Sequence, residues 1–334
     1  MKLGLLTACL PDLSLEQIAT FASGAGIEAL EVAAWPETGG RPFTATHLDV
    51  VHMTQSKASA VREVLDNLGI AISCIAYYDN NLHPDPEERR VVNAHVAACV
   101  DAAALLGCPL VGTFVGRDPT RTVAENLRQA EQLFPPLVEH AGERGVRLVI
   151  ENCVMEGWHP DGYPGNLAYS PELWEWMFSL GLYLNYDPSH LCWMGIDPVE
   201  AVRPYVGRVL HAQAKDIELY LDRRNRYGYP GKAIEREDPW DVGWWRYRVP
   251  GAGQVDWLRV VDALYEGGFE GTLSIEHEDP VWSGSEQRVK TGLEIAVRTL
   301  RFVLAPIGGP PSSVQRRAAP GVAAPLPEKA GDKE

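Results

Sequence analysis

Positive charge is in short supply in this sequence. Lys and Arg number 30 against 45 Asp and Glu in 334 residues, a formal net charge of −15. Binding to nucleic acid or an anionic membrane is driven by basic groups that release counterions, so neither is expected as a partner. Cysteine is sparse as well. Cys9, Cys74, Cys99, Cys108, Cys153 and Cys192 form no C-x-x-C pair and are too few for a disulfide framework, so a cytoplasmic location is expected. Long apolar runs are missing too. The most apolar long stretch, Val91 to Val115, is broken by His95, Asp101 and Pro109, which argues against a membrane span. Leu6-Thr7-Ala8-Cys9 mimics a lipoprotein cleavage site, but only about six apolar residues precede it, short of the ~7–15 of a signal segment.

What is present is ample core material: 46% hydrophobic and 9% aromatic residues, in a chain long enough for two domains or one α/β barrel. Short runs rich in β-branched residues alternate with longer segments of helical period. The strands expected are Lys2–Leu6, Ala29–Ala34, Ile70–Tyr77, Leu110–Val115, Arg147–Glu151, Tyr183–Asp187, Val209–Gln213 and Thr272–Glu276. Between and after them come helices at Ser14–Ser23, Thr54–Leu68, Glu87–Leu106, Val123–Arg144, Pro171–Leu180, Pro198–Tyr205, Asp256–Glu266 and Glu286–Val303. Ser14 with Gln17 has the capping-box spacing, and Ser170-Pro171 and Asp197-Pro198 place a cap before a first-turn proline. Gly69, Gly107, Gly145 and Gly181 stand where helices give way to strands.

Eight such units predict a closed (β/α)8 barrel over residues 1–303. A doubly wound sheet is the rival, but its glycine fingerprint survives only as Gly24-x-Gly26-x-x-Ala29, after a helix and before a strand, the reverse of a dinucleotide site. Two segments lie outside the plan. Residues 217–253, after strand seven, hold Trp240, Trp244, Trp245 and four tyrosines and read as a lid-like insertion or subunit contact. Residues 304–334 form a Pro/Ala-rich tail expected to be disordered.

Barrel enzymes work at the C-terminal ends of their strands. Strand five ends in Glu151, strand six in Asp187 and strand eight in Glu276, while alternation along strand seven places His211, Gln213 and Lys215 on one side. Three converging carboxylates repel one another unless a cation is present. An oxygen-rich ligand set suits one divalent ion, Mn²⁺ or Mg²⁺ first, with Co²⁺ or Zn²⁺ also compatible. His190, just past strand six, could reach a substrate oxygen or a second metal. Trp35, Tyr77, Tyr78, Trp158 and His159 follow strand ends and are candidates for the walls of a sugar pocket.

The segments Ile150-Glu151-Asn152-Cys153, Asn185-Tyr186-Asp187-Pro188-Ser189-His190, Gln213-Ala214-Lys215-Asp216, Pro250-Gly251-Ala252-Gly253 and Ser274-Ile275-Glu276-His277-Glu278-Asp279 resemble the xylose-isomerase-like sugar phosphate isomerase/epimerase superfamily. The resemblance runs from about Met1 to Val303 and implies a TIM barrel with one divalent metal. It implies Glu151, Asp187, Gln213 and Glu276 as ligands. Many members carry His-x-His-Ala-Lys-Asp on strand seven, where this chain has His211-Ala212-Gln213-Ala214-Lys215-Asp216; hydroxypyruvate-isomerase-like branches use Gln there, and His211 is the fallback ligand.

The expected reaction is isomerisation or epimerisation of a small sugar, sugar phosphate or polyol through a metal-stabilised enediolate. Glu151 and Glu276 would move the proton, with His190, His211 and Lys215 as contacts to substrate. Lys215 could instead pair with Asp216 or Glu278. Competing readings are an inosose dehydratase-like lyase, a non-catalytic sugar-binding barrel, and phosphodiester hydrolysis of the endonuclease IV type, which the acidic balance disfavours. The oligomeric state is open, a homo-oligomer being compatible.

Overall fold

A computed structural model of the chain describes residues 1–36, 44–155, 164–234 and 241–304. Trp158, His159, Trp240 and the tail from residue 305 lie outside the described residues. Among the described residues there are ten strands: β1 Lys2–Leu6, β2 Ala29–Ala33, β3 Ala71–Ala76, β4 Leu110–Thr113, β5 Arg147–Glu151, β6 Tyr183–Tyr186, β7 Val209–Ala214, β8 Asp216–Leu219, β9 Trp245–Arg248 and β10 Thr272–Ile275. The helices are α1 Leu15–Ala25, α2 Gln55–Asn67, α3 Pro86–Leu106, α4 Val123–Glu143, α5 Pro171–Ser179, α6 Pro188–Trp193, α7 Pro198–Val202, α8 Leu221–Tyr227, α9 Trp257–Glu266 and α10 Glu286–Val303.

Eight strands close a parallel barrel in the order β1-β10-β7-β6-β5-β4-β3-β2. The eighth barrel strand is β10, because β8 and β9 pair antiparallel in a separate ribbon inside the insertion. Each barrel strand matches an expected one to within one or two residues at either end. Short α6 and α8 were not expected, since neither is long enough to show a period. Among the described residues no helix is long and apolar enough to cross a membrane.

Local signals explain most joints. The Ser14–Gln17 capping box forms as its spacing suggests, and Asp197 accepts from Val199 N and Glu200 N. Ser170 stands at the N-cap of α5 but makes no side-chain cap bond, so Pro171 alone marks that start. Gly107 ends α3 in the left-handed region at φ 72°, where a side chain would be strained.

The barrel interior is layered. Cys74, Leu110 and Val149 form a small apolar cluster of their own, with Tyr183 and Leu210 against it. Toward the C-terminal ends the inner wall turns polar, with buried Glu31, Asn185, His211, Gln213 and Ser274. Gly112 on β4 permits this: a Cβ there would collide with the Tyr78 phenol, which crosses the space to reach Glu31.

The ribbon is fastened to the barrel by carboxylates. Asp216 accepts from Ile217 N at 2.8 Å, Gly251 N and Val255 N at 2.9 Å, and Trp257 Nε1 at 3.0 Å. Gly253 is where a Cβ would strike that carboxylate, which accounts for the Pro250-Gly251-Ala252-Gly253 motif. Asp279, just past β10, accepts from Arg248 Nε and Val249 N, both at 2.9 Å. The insertion thus sits against the C-terminal mouth.

Candidate metal centre

Glu151 is the last residue of β5, Asp187 follows β6 as the N-cap of α6, and Glu276 follows β10. All three are buried, and each brings a donor atom within 4.8 Å of the others. His211 and Gln213 on β7 and Lys215 just past it are all buried, as are Ala212 and Ala214 between them.

Lys215 lies in the middle of the acids. Its Nζ is 3.0 Å from Glu276 Oε1, 3.2 Å from Glu278 Oε2 and 3.3 Å from Asp187 Oδ2. Of the two partners proposed for it from sequence, Glu278 is found. Asp216 is not, because its carboxylate is committed to Ile217 N, Gly251 N, Val255 N and Trp257 Nε1. His190 Nε2 sits 3.2 Å from Glu151 Oε1 and 3.3 Å from Asp187 Oδ2, and its Nδ1 is 2.8 Å from Tyr247 Oη. Glu151, Cys153 and His190 also bring donors within 4.8 Å of one another.

Electrostatics follow from crowding in a dry site. Burial, then repulsion from Glu276, holds the Glu151 carboxyl well above the usual range. Burial does the same to Glu276, with Lys215 opposing it. Asp187 is pushed up to about 6, chiefly by burial. Burial works against the Lys215 ammonium, yet Glu276, Glu278 and Asp187 outweigh it and raise its pKa. Burial keeps the His190 imidazole neutral by driving its pKa well below the ordinary value.

This donor set fits a divalent cation. Four carboxyl groups crowd one ammonium, so they can all ionise together only if a further cation is bound. Glu276 Oε2 and Gln213 Oε1 are buried with no hydrogen-bond partner among the described residues. Gln213 Oε1 is a neutral oxygen ligand of the kind such an ion accepts.

Other expected residues have partners of their own. His211 has both ring nitrogens engaged below the cluster, with Nδ1–H donating to Asn185 Oδ1 at 3.0 Å and Nε2 3.1 Å from Ser73 Oγ. Burial lowers its pKa to about 3. Trp35 and Tyr77 pack on each other at 6.1 Å between ring centres, and Tyr77 packs on His95 at 4.4 Å.

Two participants escaped the sequence reading, Tyr247 half-buried and Glu31 fully buried. Tyr247 arrives on the ribbon, with Lys215 Nζ 4.6 Å from its ring centre and Trp245 4.8 Å away. Glu31 lies mid-strand on β2, fully buried, and burial pushes its carboxyl up to about 7. A single acid within Ala29-Leu30-Glu31-Val32-Ala33 was the available signal, since an unpaired carboxylate is rarely placed in a core strand.

A family model described as xylose isomerase-like TIM barrel matches residues 19–300. The uncharacterized protein YfiH of Bacillus subtilis strain 168 is 27% identical over 330 residues, covering 90% of this chain and 99% of that protein. Inosose dehydratase of Clostridium tetani (strain Massachusetts / E88) is 29% identical over 126 residues, 36% of this chain and 37% of the dehydratase. The solved structure of D-psicose 3-epimerase with D-tagatose from Clostridium cellulolyticum H10 superposes with a TM-score of 0.64 at 15% identity, covering 91% of this chain and 99% of that one. At that identity the likeness is one of fold alone. With the matched span taking in nearly the whole barrel, the chain belongs to the xylose isomerase-like TIM barrel family.

Proposed function

We propose that this protein is a divalent-metal-dependent enzyme that moves a proton next to the carbonyl of a small sugar, sugar phosphate or polyol, isomerising or epimerising it. The observation that carries this reading is the meeting of Glu151, Asp187 and Glu276 within 4.8 Å in the buried mouth of the barrel. Those three acids and Gln213 Oε1 would hold the ion, Mn²⁺ or Mg²⁺ by preference for an all-oxygen set, with Co²⁺ or Zn²⁺ compatible. Bound there, it would stabilise the negative charge that develops on the substrate's carbonyl oxygen.

The side chains supply the rest. Glu151 and Glu276 come from strands on different sides of the mouth, so one carboxylate takes the proton from carbon and the other carboxyl returns one. Return to the opposite face inverts the centre, and return to the neighbouring carbon isomerises. Burial holds both carboxyls above the ordinary carboxylate range, the direction that lets a carboxyl hold a proton for transfer. Lys215 donates to a substrate oxygen on the side of Glu276, and neutral His190, braced by Tyr247, donates or accepts beside Glu151. Trp35 and Tyr77 belong to the outer wall in this reading.

A dehydratase is the second reading, favoured by the inosose dehydratase match. The same proton abstraction, on a substrate with a β-hydroxyl, ends with that hydroxyl leaving as water once an acid protonates it. Incubation of the metal-loaded protein with a panel of ketoses and inososes in D₂O separates the outcomes. Deuterium at one carbon with the formula otherwise retained supports isomerisation or epimerisation. Loss of 18 mass units, that of one water molecule, supports the lyase. No exchange with any member of the panel overturns both and leaves a sugar-binding barrel.

A further inference from the structure

We propose that Glu31 is a positioning residue that decides which end of the Gln213 amide faces the three acids. The inference rests on the reading of Gln213 as a metal ligand. An amide presents an acceptor oxygen at one end and a donor NH₂ at the other, and the two ends have nearly the same size. Packing cannot choose between them, so a polar partner must. A cation beside the NH₂ end would be repelled; beside the oxygen it would be bound.

In the barrel, Gln213 Nε2 donates to Glu31 Oε1 at 3.1 Å. That bond commits the NH₂ end to β2 and leaves Oε1, buried and without a hydrogen-bond partner among the described residues, on the other side of the amide. Glu31 is itself fixed. The Tyr78 hydroxyl donates to its Oε1, and Asn185 Nδ2 donates to Tyr78 Oη at 2.7 Å. His211 in turn holds the Asn185 amide oxygen and reaches Ser73. This chain of contacts runs around the inner wall through β3, β7 and β6, so no member can turn without breaking a buried bond. It also gives His211 a task that does not involve touching a metal: it orients Asn185, which orients Tyr78.

Mn²⁺ affinity, measured by titration calorimetry on the full chain, tests the proposal. Gln213→Ala weakens binding about 10-fold or more, as loss of a ligand or its orienting partner does. Glu31→Leu, which removes the acceptor, weakens binding by about the same factor. Glu31→Gln loses the charge but keeps a carbonyl acceptor, and restores affinity to within about 3-fold of the parent. In a Gln213→Glu background the two carboxylate oxygens are equivalent, no orientation is needed, and Glu31→Leu no longer weakens binding. Should Glu31→Leu not fold by circular dichroism, Glu31→Thr, too short to reach Gln213, takes its place. Unchanged affinity in the Glu31 variants, equal losses in Leu and Gln, or an equal loss in the Gln213→Glu background would each overturn the positioning role. Unchanged affinity in Gln213→Ala would overturn the ligand reading itself, a separate failure.

Discussion

Lys215 Nζ lies 3.0 Å from Glu276 Oε1 at the mouth of the barrel, an ion pair from which water is largely excluded. Its partner is one of the two acids assigned to proton transfer. The ammonium therefore offsets part of the charge that crowds the acids, and in the proposed function it is the group that meets a substrate oxygen.

Removing that ammonium exposes the repulsion it offsets. Lys215→Met is expected to destabilise the metal-free protein by about 3 kcal/mol at pH 8, the scale of breaking a buried ion pair. At pH 5 the loss shrinks, because the acids take up protons, and added Mn²⁺ recovers much of it at pH 8. Thermal melts at both pH values check this; an equal loss at pH 5 and pH 8 would contradict it.

In the proposed two-base scheme the acids divide labour. Glu276→Gln keeps an oxygen ligand and removes a base, so deuterium exchange falls by about 10²–10⁴-fold while Mn²⁺ affinity falls less than in Asp187→Asn. Exchange rates set beside calorimetric affinities test the division. Full activity in Glu276→Gln would remove the two-base scheme.

Glu31 and Asp187 each contribute to the pH dependence of the metal-free protein with a definite sign. Glu31 is raised from 4.5 to about 7 and Asp187 from 3.8 to about 6, so the folded state holds protons that the unfolded chain has released. Their contribution is full below about pH 4 and is lost as pH rises through 6 to 7, a destabilisation on the order of 3 kcal/mol from Glu31 alone. Buried His190 and His211, whose pKa values are lowered, act in the opposite direction, so the effect is read by difference: relative to Glu31→Gln, the parent is expected to lose melting temperature between pH 5 and pH 8 without metal.

Tyr247→Phe removes the hydroxyl next to His190 Nδ1 and keeps the ring over Lys215. Stability should change by under about 1 kcal/mol, the worth of one hydrogen bond. The reaction rate should drop several-fold as His190 loses its brace. Stopped-flow kinetics with a melt of the same sample separates the two effects.

Asp216 has a structural task beside the site. Asp216→Ala strands four donors, three of them backbone N–H groups, and is expected to cost at least about 3 kcal/mol. If the variant folds, Mn²⁺ affinity should stay close to that of the parent, because the carboxylate is taken up by Ile217, Gly251, Val255 and Trp257 and not by the acids.

The sequence alone determined that eight β/α units close a barrel, since period-two and helical-period segments alternate with caps and turn glycines at their joints. It also determined that Glu151, Asp187 and Glu276 meet at one end, because strand ends of a parallel barrel share one face. What it could not determine was which neighbours those residues take. Lys215 could have paired with Asp216 next to it, but successive residues on a strand point to opposite sides, and Asp216 turns to the ribbon. Gln213 and His211 share one face and differ only in depth, so their separate partners, Glu31 and Asn185, emerge only when β2 and β6 are brought round by closure. Tyr247 is far from His190 in sequence and joins it because the ribbon folds back over the mouth. Local patterning fixes which way a side chain points; contact between side chains on distant strands is set by register and barrel closure, which no single segment encodes.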